Sequence, residues 1–397
     1  MTLLRPGTVG LTCCAVCAVA ACQGGVDDQL VVRQDSAGVS IVESSGPEWS
    51  RTAGWTLDSI ASFALSGSGA AYEFARVTDA TFLSNGQLVV LDEGAHQARF
   101  FDREGVFVRA VGREGEGPGD FSGLSSVFGL RGDSVLVYDS WLRRATILDS
   151  AGAVARIVTL PADLQAPELF PITGDGFVAK AWSLTGFMDV AGAYRADYAI
   201  VRLDEHGAVR DTLARMPGWN GYKVNTEGGG YRDYAPLFPL DGHAAIRRGD
   251  IVLGGAERVE FRSVSAEGEL RSIARAPSLD RPFDAAEVEA ERAAMIRPTS
   301  SAEHREIVRG LPAPASRPYS DLLVDADGYV WLAAYASQRT HADDPVRWHI
   351  FHPDGAWQGD LVTPARFTVF EIGADYILGV RRDEYDVQHI ETLSLAR

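Results

Sequence analysis

The sequence predicts an all-β fold, a six-bladed β-propeller, and three observations carry that reading. Residues 74–105 and 121–152 are copies of one pattern. Phe74 falls on Phe121, Asp92 on Asp139, Asp102 on Asp149 and Gly105 on Gly152, each 47 residues further on. Each copy reads as four short strands, and a period of this size built from four strands is that of a propeller blade. A turn before a short apolar strand recurs six times, as Asn85-Gly86, Gly132-Asp133, Asp175-Gly176, Gly249-Asp250, Asp327-Gly328 and Ala374-Asp375. A second turn, four residues ending in Gly, recurs five times, at 102–105, 149–152, 204–207, 265–268 and 352–355. Asp bonds its own backbone in such turns and Gly accepts positive φ.

In chain order, residues 1–21 read as a signal peptide. Arg5 gives a short charged start, and the run from Val9 to Ala21 is apolar but too short to span a bilayer. All four cysteines, Cys13, Cys14, Cys17 and Cys22, fall in the first 22 residues, so the body carries neither a disulfide framework nor a thiolate site. Residues 22–54 read as a tether with a β-hairpin, its strands at 30–33 and 39–43.

The propeller is expected over 55–397. Residues 55–65 precede a Gly-rich loop and Phe74 just as residues 106–111 precede the Gly-rich loop before Phe121. They therefore read as an outer strand that joins the last three strands and closes the ring in a 3+1 arrangement. Closure of this kind leaves no exposed edge at the seam.

Connections within antiparallel blades alternate between two faces. The long ones, at 183–196, 217–240, 277–317 and 335–344, all belong to one face, which predicts a single working face. Two helices are expected within about 283–311. Asp284 with Glu287 opens the first and Ser300 with Glu303 the second, and Val288, Ala294, Met295 and Ile296 are expected to pack on the ring. The insertion reads as either a brace or a lid.

Composition narrows the partners. The chain of 397 residues is 46% apolar and carries 37 basic against 54 acidic side chains, a net charge of −17. Such a surface repels phosphate backbones and anionic lipid, which argues against nucleic acid and against peripheral membrane adsorption. A monomer is expected.

The richest functional composition is the loop holding Trp219, Tyr222, Lys223, Tyr231, Arg232 and Tyr234. Aromatics beside cations can grip a sugar, a carboxylate or a peptide, or can simply cover the channel rim. Arg76 and Arg113, at blade junctions, are either an anion patch or partners for the chain's own carboxylates. His341, Asp343 and Asp344 are the metal-capable side chains on the working face; no cofactor is predicted, and oxygen ligands would favour Ca2+ over zinc. His349 and His352 point to opposite faces of a strand, and Asp325 to Gly328 reads as a turn and not as a calcium loop. No nucleophile elbow, P-loop or dinucleotide fingerprint occurs in a strand–helix context.

Two resemblances add to this. Val19-Ala20-Ala21-Cys22 resembles the lipobox of bacterial lipoproteins, which implies acylation of Cys22 and anchoring in the bacterial cell envelope, periplasmic or at the cell surface; ordinary cleavage at this Ala-rich site would instead release an exported protein. The run from Gly112 through Gly119 to Asp120-Phe121 resembles the blade junction of NHL-repeat propellers, so the chain resembles bacterial six-bladed propeller lipoproteins of NHL-like type. That resemblance implies the fold and export but no single activity, because some such propellers are metal-dependent lyases or lactonases and many only bind partners. The resulting expectation is a lipid-anchored propeller that binds an envelope protein, a glycan or a small molecule without catalysis. The alternatives are a metal-dependent lyase or lactonase acting in the central channel, and a structural envelope component.

Overall fold

The computed structural model describes residues 30–172, 176–183, 191–226, 230–247, 249–337, 339, 341 and 343–397. The signal region, Cys22, Asp175 and the Gly228-Gly229 pair lie outside the described residues.

The described chain is strand-dominated and propeller-like. A hairpin of β1 (Val31–Ser36) and β2 (Val39–Ser44) is followed by β3 (Thr56–Ala64). The first sheet holds β4 (Val77–Phe82), β5 (Leu88–Asp92), β6 (Gln97–Phe101) and β7 (Phe107–Val111). The second holds β8 (Leu124–Gly129), β9 (Val135–Asp139), β10 (Arg144–Leu148) and β11 (Val154–Thr159). The third has β12 (Glu168–Pro171), β13 (Phe177–Ser183), β14 (Gly192–Leu203), β15 (Val209–Asn225) and β16 (Tyr231–Tyr234). The fourth has β17 (His243–Arg247), β18 (Asp250–Gly254), β19 (Glu260–Val264) and β20 (Leu270–Arg275). Helices α1 (Ala285–Met295) and α2 (Ala302–Gly310) precede the fifth sheet, β21 (Tyr319–Val324), β22 (Val330–Ala334), β23 (Val346–Phe351) and β24 (Trp357–Thr363). The last sheet joins β25 (Phe367–Ile372), β26 (Tyr376–Arg382) and β27 (Gln388–Ala396) to β3, which pairs antiparallel with β27 from Glu391↔Ala64 to Ala396↔Thr56.

Neighbouring sheets meet through shared apolar clusters. Leu91 and Phe100 of the first sheet meet Leu124 and Val137 of the second. Leu136 and Tyr138 meet Leu169 and Phe177 of the third, and Ile200 meets Ile251 of the fourth. Phe261 meets Leu322 and Phe351 of the fifth, and Trp331 meets Ile377 and Leu393 of the last. Leu378 and Ile390 of the last sheet pack against Val77 and Leu88 of the first. The second strands are covered on both faces, so β5 and β9 are buried at every position and read as apolar runs that end in Asp. The outer strand β7 alternates between exposed and half-buried positions.

The repeated polar residues are joints. Asp92, fully buried at the end of β5, accepts the backbone N–H groups of Ala75 (3.3 Å) and Arg76 (2.9 Å). Asp139, its repeat equivalent, accepts those of Ser122 (2.7 Å) and Gly123 (3.1 Å), together with Leu142 (2.8 Å). Each Asp thus ties the chain entering a sheet to the end of the second strand. The turn glycines have a second role. All five have positive φ, from 78° at Gly105 to 99° at Gly355, and each abuts the fourth strand of the preceding sheet. A Cβ would lie 3.0 Å from Ala64 O at Gly105, 2.5 Å from Arg109 Nε at Gly152 and 2.8 Å from Val158 at Gly207. At Gly268 it would lie 3.1 Å from Leu213 O, and at Gly355 3.0 Å from Ala274 Cβ. β3 therefore stands toward the first sheet as β7 stands toward the second.

Three features differ from, or go beyond, the sequence reading. The N-terminal hairpin is part of the fourth sheet, with β2 lying parallel to β20 from Ser40↔Ser272 to Glu43↔Arg275. Of the aromatic stretch expected as a loop, residues 219–225 and 231–234 are instead strand: β14 and β15 pair out to Gly192↔Lys223, and β16 folds back onto β15 from Asn225↔Tyr231 to Tyr222↔Tyr234. The reason is length, because β14 is long enough to give β15 an antiparallel partner across three bulges. The second helix is capped by Ser301, whose Oγ accepts His304 N–H at 3.0 Å, while Ser300 Oγ accepts the N–H of Arg297. The capping box of Asp284 and Glu287 on α1 is present.

The long connections share one cluster. Leu237 and Phe238 after β16, Val308 and Leu311 of the helical insertion, and Tyr335 after β22 pack together, with Val288, Met295 and Ile296 against them. Ala294 is exposed. Glu291, 1% exposed on α1, accepts Ser337 Oγ at 2.5 Å and pairs with Arg339, which also donates to Leu237 O at 2.8 Å. The insertions are thereby fastened into one cap.

Candidate functional site

The first strands β4, β12, β17, β21 and β25 carry Asp79, Glu168, His243, Asp321 and Glu371. In β4, β21 and β25 a β-bulge interrupts the ladder just before Asp79, Asp321 and Glu371, and a bulge re-aims the side chain it carries. Asp79 accepts N–H groups from Ala80 (2.9 Å) and from Val127 of the next sheet (2.8 Å). Asp321 accepts Leu322 N–H at 2.7 Å, and Glu371 accepts Phe82 N–H at 3.2 Å as well as the Thr81 and Tyr376 hydroxyls. Burial pushes the Asp79 carboxyl up to about 7 and raises those of Asp321 and Glu371.

The densest group lies where the third, fourth and fifth sheets converge. Glu168 on β12 stands opposite Lys180 on β13, and the two form an ion pair. Lys180 also donates to Gly242 O at 2.8 Å and sits over the Tyr198 ring at 4.6 Å. Burial and the charge of Asp241 raise the pKa of the Tyr198 hydroxyl. His243, the first residue of β17, places Nδ1 3.7 Å from Asp321 Oδ1, while its Nε2 is buried without a hydrogen-bond partner. Burial, reinforced by the charges of Lys180 and Arg317, pulls His243 down to about 3. The imidazole is therefore neutral at neutral pH, and its contact with Asp321 is not an ion pair there. Burial also lifts the Glu168 carboxyl against the pull of Lys180. Glu168 and Asp321 nevertheless keep 39% and 48% of their side-chain surface open to water. Dominant desolvation combined with open surface is what carboxylates lining a narrow aqueous channel should show.

Beside this group, under the cap, is a cavity of about 750 Å3. Its apolar wall is Phe238 stacked on Phe283 at 3.8 Å, with Tyr335 edge-on to both at 6.3 and 6.1 Å. Helix α1 supplies Ala286, Ala290 and Glu291. Arg317 lies over the Tyr335 ring at 4.3 Å, with Nε buried and lacking a hydrogen-bond partner. Among the described residues it enters no ion pair, whereas Glu291 has Arg339 and Arg281 has Glu287. Burial lowers its pKa, but a guanidinium stays charged. Arg317 also links the cavity to the channel group, since its charge is one of those acting on His243.

The residues singled out from sequence are distributed differently. Arg76 pairs with Glu93, and Arg113, 82% exposed, pairs with Asp120 at 3.0 Å. Trp219 packs at the junction of the third and fourth sheets, edge-on to Tyr194 at 5.3 Å. Lys223 is buried, bonded to Asp233 at 2.9 Å and 4.8 Å from the Tyr194 ring centroid. Tyr222 and Tyr234 belong to the cap cluster. Tyr231 is exposed, and Arg232 lies 3.9 Å from Glu303. Tyr222 lines a small pocket of about 190 Å3, and none of these six residues lines the large cavity. His341 and Asp344 do line it, bonded to each other at 2.9 Å, but Asp343 is turned away to Arg366. His349 is buried on Asp360 at 2.8 Å, and His352 meets the Tyr329 ring. Asp325 accepts the N–H groups of Asp327 and Tyr329, which makes 325–328 a turn. Among the described residues no three His, Cys, Asp or Glu side chains are grouped to hold a metal ion.

Sequence reasoning missed Arg317, Phe238, Phe283, Tyr335, Glu168, Lys180 and His243. Lys180 alone carried a signal, as the one charge inside the apolar strand Phe177–Ser183.

No family model matches the sequence, and no curated protein matches it at a significant level. Solved structures are similar in fold. A Bacteroides fragilis protein assigned as exported matches with a TM-score of 0.51 and 14% identity, over 86% of this chain and 94% of its own. A DUF4221 family member from Bacteroides vulgatus matches at 0.50 and 12%, over 86% and 99%. Virginiamycin B lyase from Staphylococcus aureus aligns over 87% and 100% at 10% identity, but its TM-score of 0.42 is too low to bear on activity. At these identities the likeness is one of fold alone. Among the described residues no helix is long and apolar enough to cross a membrane.

Proposed function

We propose that this chain is an exported, membrane-tethered, six-bladed propeller that binds a small organic anion in the cavity beneath its cap. The six-blade reading is supported by the sheet-to-sheet clusters, including Leu378 and Ile390 against Val77 and Leu88, and by the pairing of β3 with β27. Tethering rests on the resemblance around Cys22. Mass spectrometry of the mature protein tests it, and an unmodified terminus other than Cys22 is incompatible with it.

The observation that carries the binding reading is Arg317, a cation without a carboxylate partner among the described residues, in the wall of an aromatic-lined cavity. A volume of about 750 Å3 suits a small molecule. The ligand that complements this wall has one carboxylate for Arg317 and a flat or apolar body for Phe238, Phe283 and Tyr335. Titration calorimetry with aromatic and sugar acids, each beside its methyl ester, tests this reading. At least one acid should saturate, its ester should bind at least tenfold more weakly, and Arg317→Gln should lose the preference. Equal binding of acid and ester, or no saturation by any acid, defeats it.

His243 favours a second reading, catalysis in the channel, because a neutral imidazole with an unpartnered Nε2 beside Lys180 and Asp321 is placed to hydrogen-bond a reacting group. A lactone and glycan turnover panel, run with elemental analysis and with His243→Gln, separates the two. Turnover lost in that variant establishes an enzyme.

A further inference from the structure

A second cleft, sharing no lining residue with the large cavity, opens between the third and fourth sheets with a volume of about 390 Å3. Arg215, Arg258, Arg262 and Arg275 line it, together with Glu257 and Glu260. The two carboxylates are committed. Glu260 accepts Arg275 Nε at 2.7 Å and Arg262 Nη2 at 3.1 Å, and Glu257 pairs with Arg195, which is not part of the cleft wall. Shared between two guanidinium groups, Glu260 is held below the usual carboxylate range and stays charged. Among the described residues the Arg215 side chain reaches only a hydroxyl, donating from Nη1 to Ser183 Oγ at 3.3 Å. The Arg258 side chain has neither a hydrogen bond nor an ion pair among the described residues; its charge acts on Asp280.

Four guanidinium groups against two carboxylates leave a local excess of two positive charges, on a chain whose net charge is −17. Distant carboxylates do not cancel this excess, because salt screens charges beyond about 8–10 Å. The fork of a guanidinium matches the oxygens of a tetrahedral oxyanion, and Glu260 already orients two of the four. We infer that this cleft is an oxyanion-binding site for a phosphate or sulfate group, separate from the cavity under the cap and independent of the function proposed for it.

Calorimetry on the purified full chain at low ionic strength, with inorganic pyrophosphate as the probe, tests the inference. The comparison proteins are the double variant Arg215→Gln/Arg258→Gln and the control Arg210→Gln, which removes an arginine paired with Asp204 elsewhere on the third sheet. Saturable binding is expected, weakened at least tenfold in the double variant and unchanged in the control. A parallel arm with phosphatidylglycerol vesicles identifies the source of the group. Vesicle binding displaced by pyrophosphate makes it a lipid headgroup, and pyrophosphate binding without vesicle binding makes it a free anion or ester. The inference fails if pyrophosphate does not saturate, or if the double variant binds it as tightly as the parent. All four arginines are at least partly exposed, so circular dichroism should show the variants folded.

Discussion

Arg397 sets its Nη2 2.7 Å from the carboxylate of Asp325, a side chain with no exposed surface, and lays the same guanidinium over the Trp55 ring at 4.5 Å. The pair joins the end of β27, the turn of the fifth sheet and the approach to β3 at one point. Asp325 keeps three other donors, from Asp327, Tyr329 and Trp331, so losing the arginine weakens this anchor without stripping it. Arg397→Met should cost about 1.5–3 kcal/mol, the usual range for a hydrogen bond to a charged group. Urea denaturation measures it, and a change below experimental error would show that the seam does not depend on this pair.

The turn glycines allow a steric cost to be separated from a backbone one. Gly38 and Gly105 have φ values of 85° and 78°, but only at Gly105 would a Cβ meet other atoms, with Ala64 O at 3.0 Å. Gly38→Ala should cost about 1 kcal/mol for positive φ alone. Gly105→Ala should cost about 1 kcal/mol more because β3 must shift. Equal losses in the two variants would mean that Gly105 is not a joint.

These joints were legible in the sequence because their chemistry is local. Asp and Gly identify such turns wherever they fall, and strands covered on both faces appear as apolar runs such as Val135–Asp139. The site was not legible for the opposite reason. His243 and Asp321 belong to different sheets, and Phe238, Phe283 and Tyr335 to three separate connections, so no spacing along the chain reveals their meeting. The hairpin's place beside β20 is likewise a long-range pairing without a local mark. Within 219–234, Trp219 and Lys223 both pack against Tyr194, a residue of β14 that the composition of the stretch does not point to.

Asp139 should be among the most sensitive polar positions. Asp139→Ala leaves the N–H groups of Ser122, Gly123 and Leu142 without their acceptor at a buried junction. The expected loss is about 3 kcal/mol, since one unsatisfied buried donor costs about 1–3 kcal/mol and some of these donors will recruit water. Denaturant midpoints measure it, and a loss under about 1 kcal/mol would contradict the assigned role.

The cap should loosen separately from the body. Glu291→Gln removes the charge that holds Arg339 while keeping a polar side chain of the same size. Proteolysis within 283–311 should accelerate several-fold with the global unfolding midpoint little changed, because local opening and global unfolding are distinct. Should the midpoint fall in step with proteolysis, the cap and the sheets would form one cooperative unit.

Asp79 and His243 should tilt the stability profile in opposite directions. Asp79 rises from 3.8 to about 7 on folding, so between those values the native state holds a proton that the unfolded chain has lost. Its contribution is fully present below 3.8 and is lost as pH rises toward 7. His243 falls from 6.5 to about 3, so below 6.5 the unfolded chain binds a proton that the native state refuses. Its contribution is present above 6.5 and is lost as pH falls toward 3. From about pH 4 to 6.5 the two oppose each other. Relative to the parent, Asp79→Asn should make stability climb more steeply with pH across this window, and His243→Gln should make it climb less or fall. Urea midpoints at pH 4.5, 5.5 and 6.5 give the slopes. Profiles that run parallel for all three proteins would mean that neither group is held away from its ordinary titration by the fold.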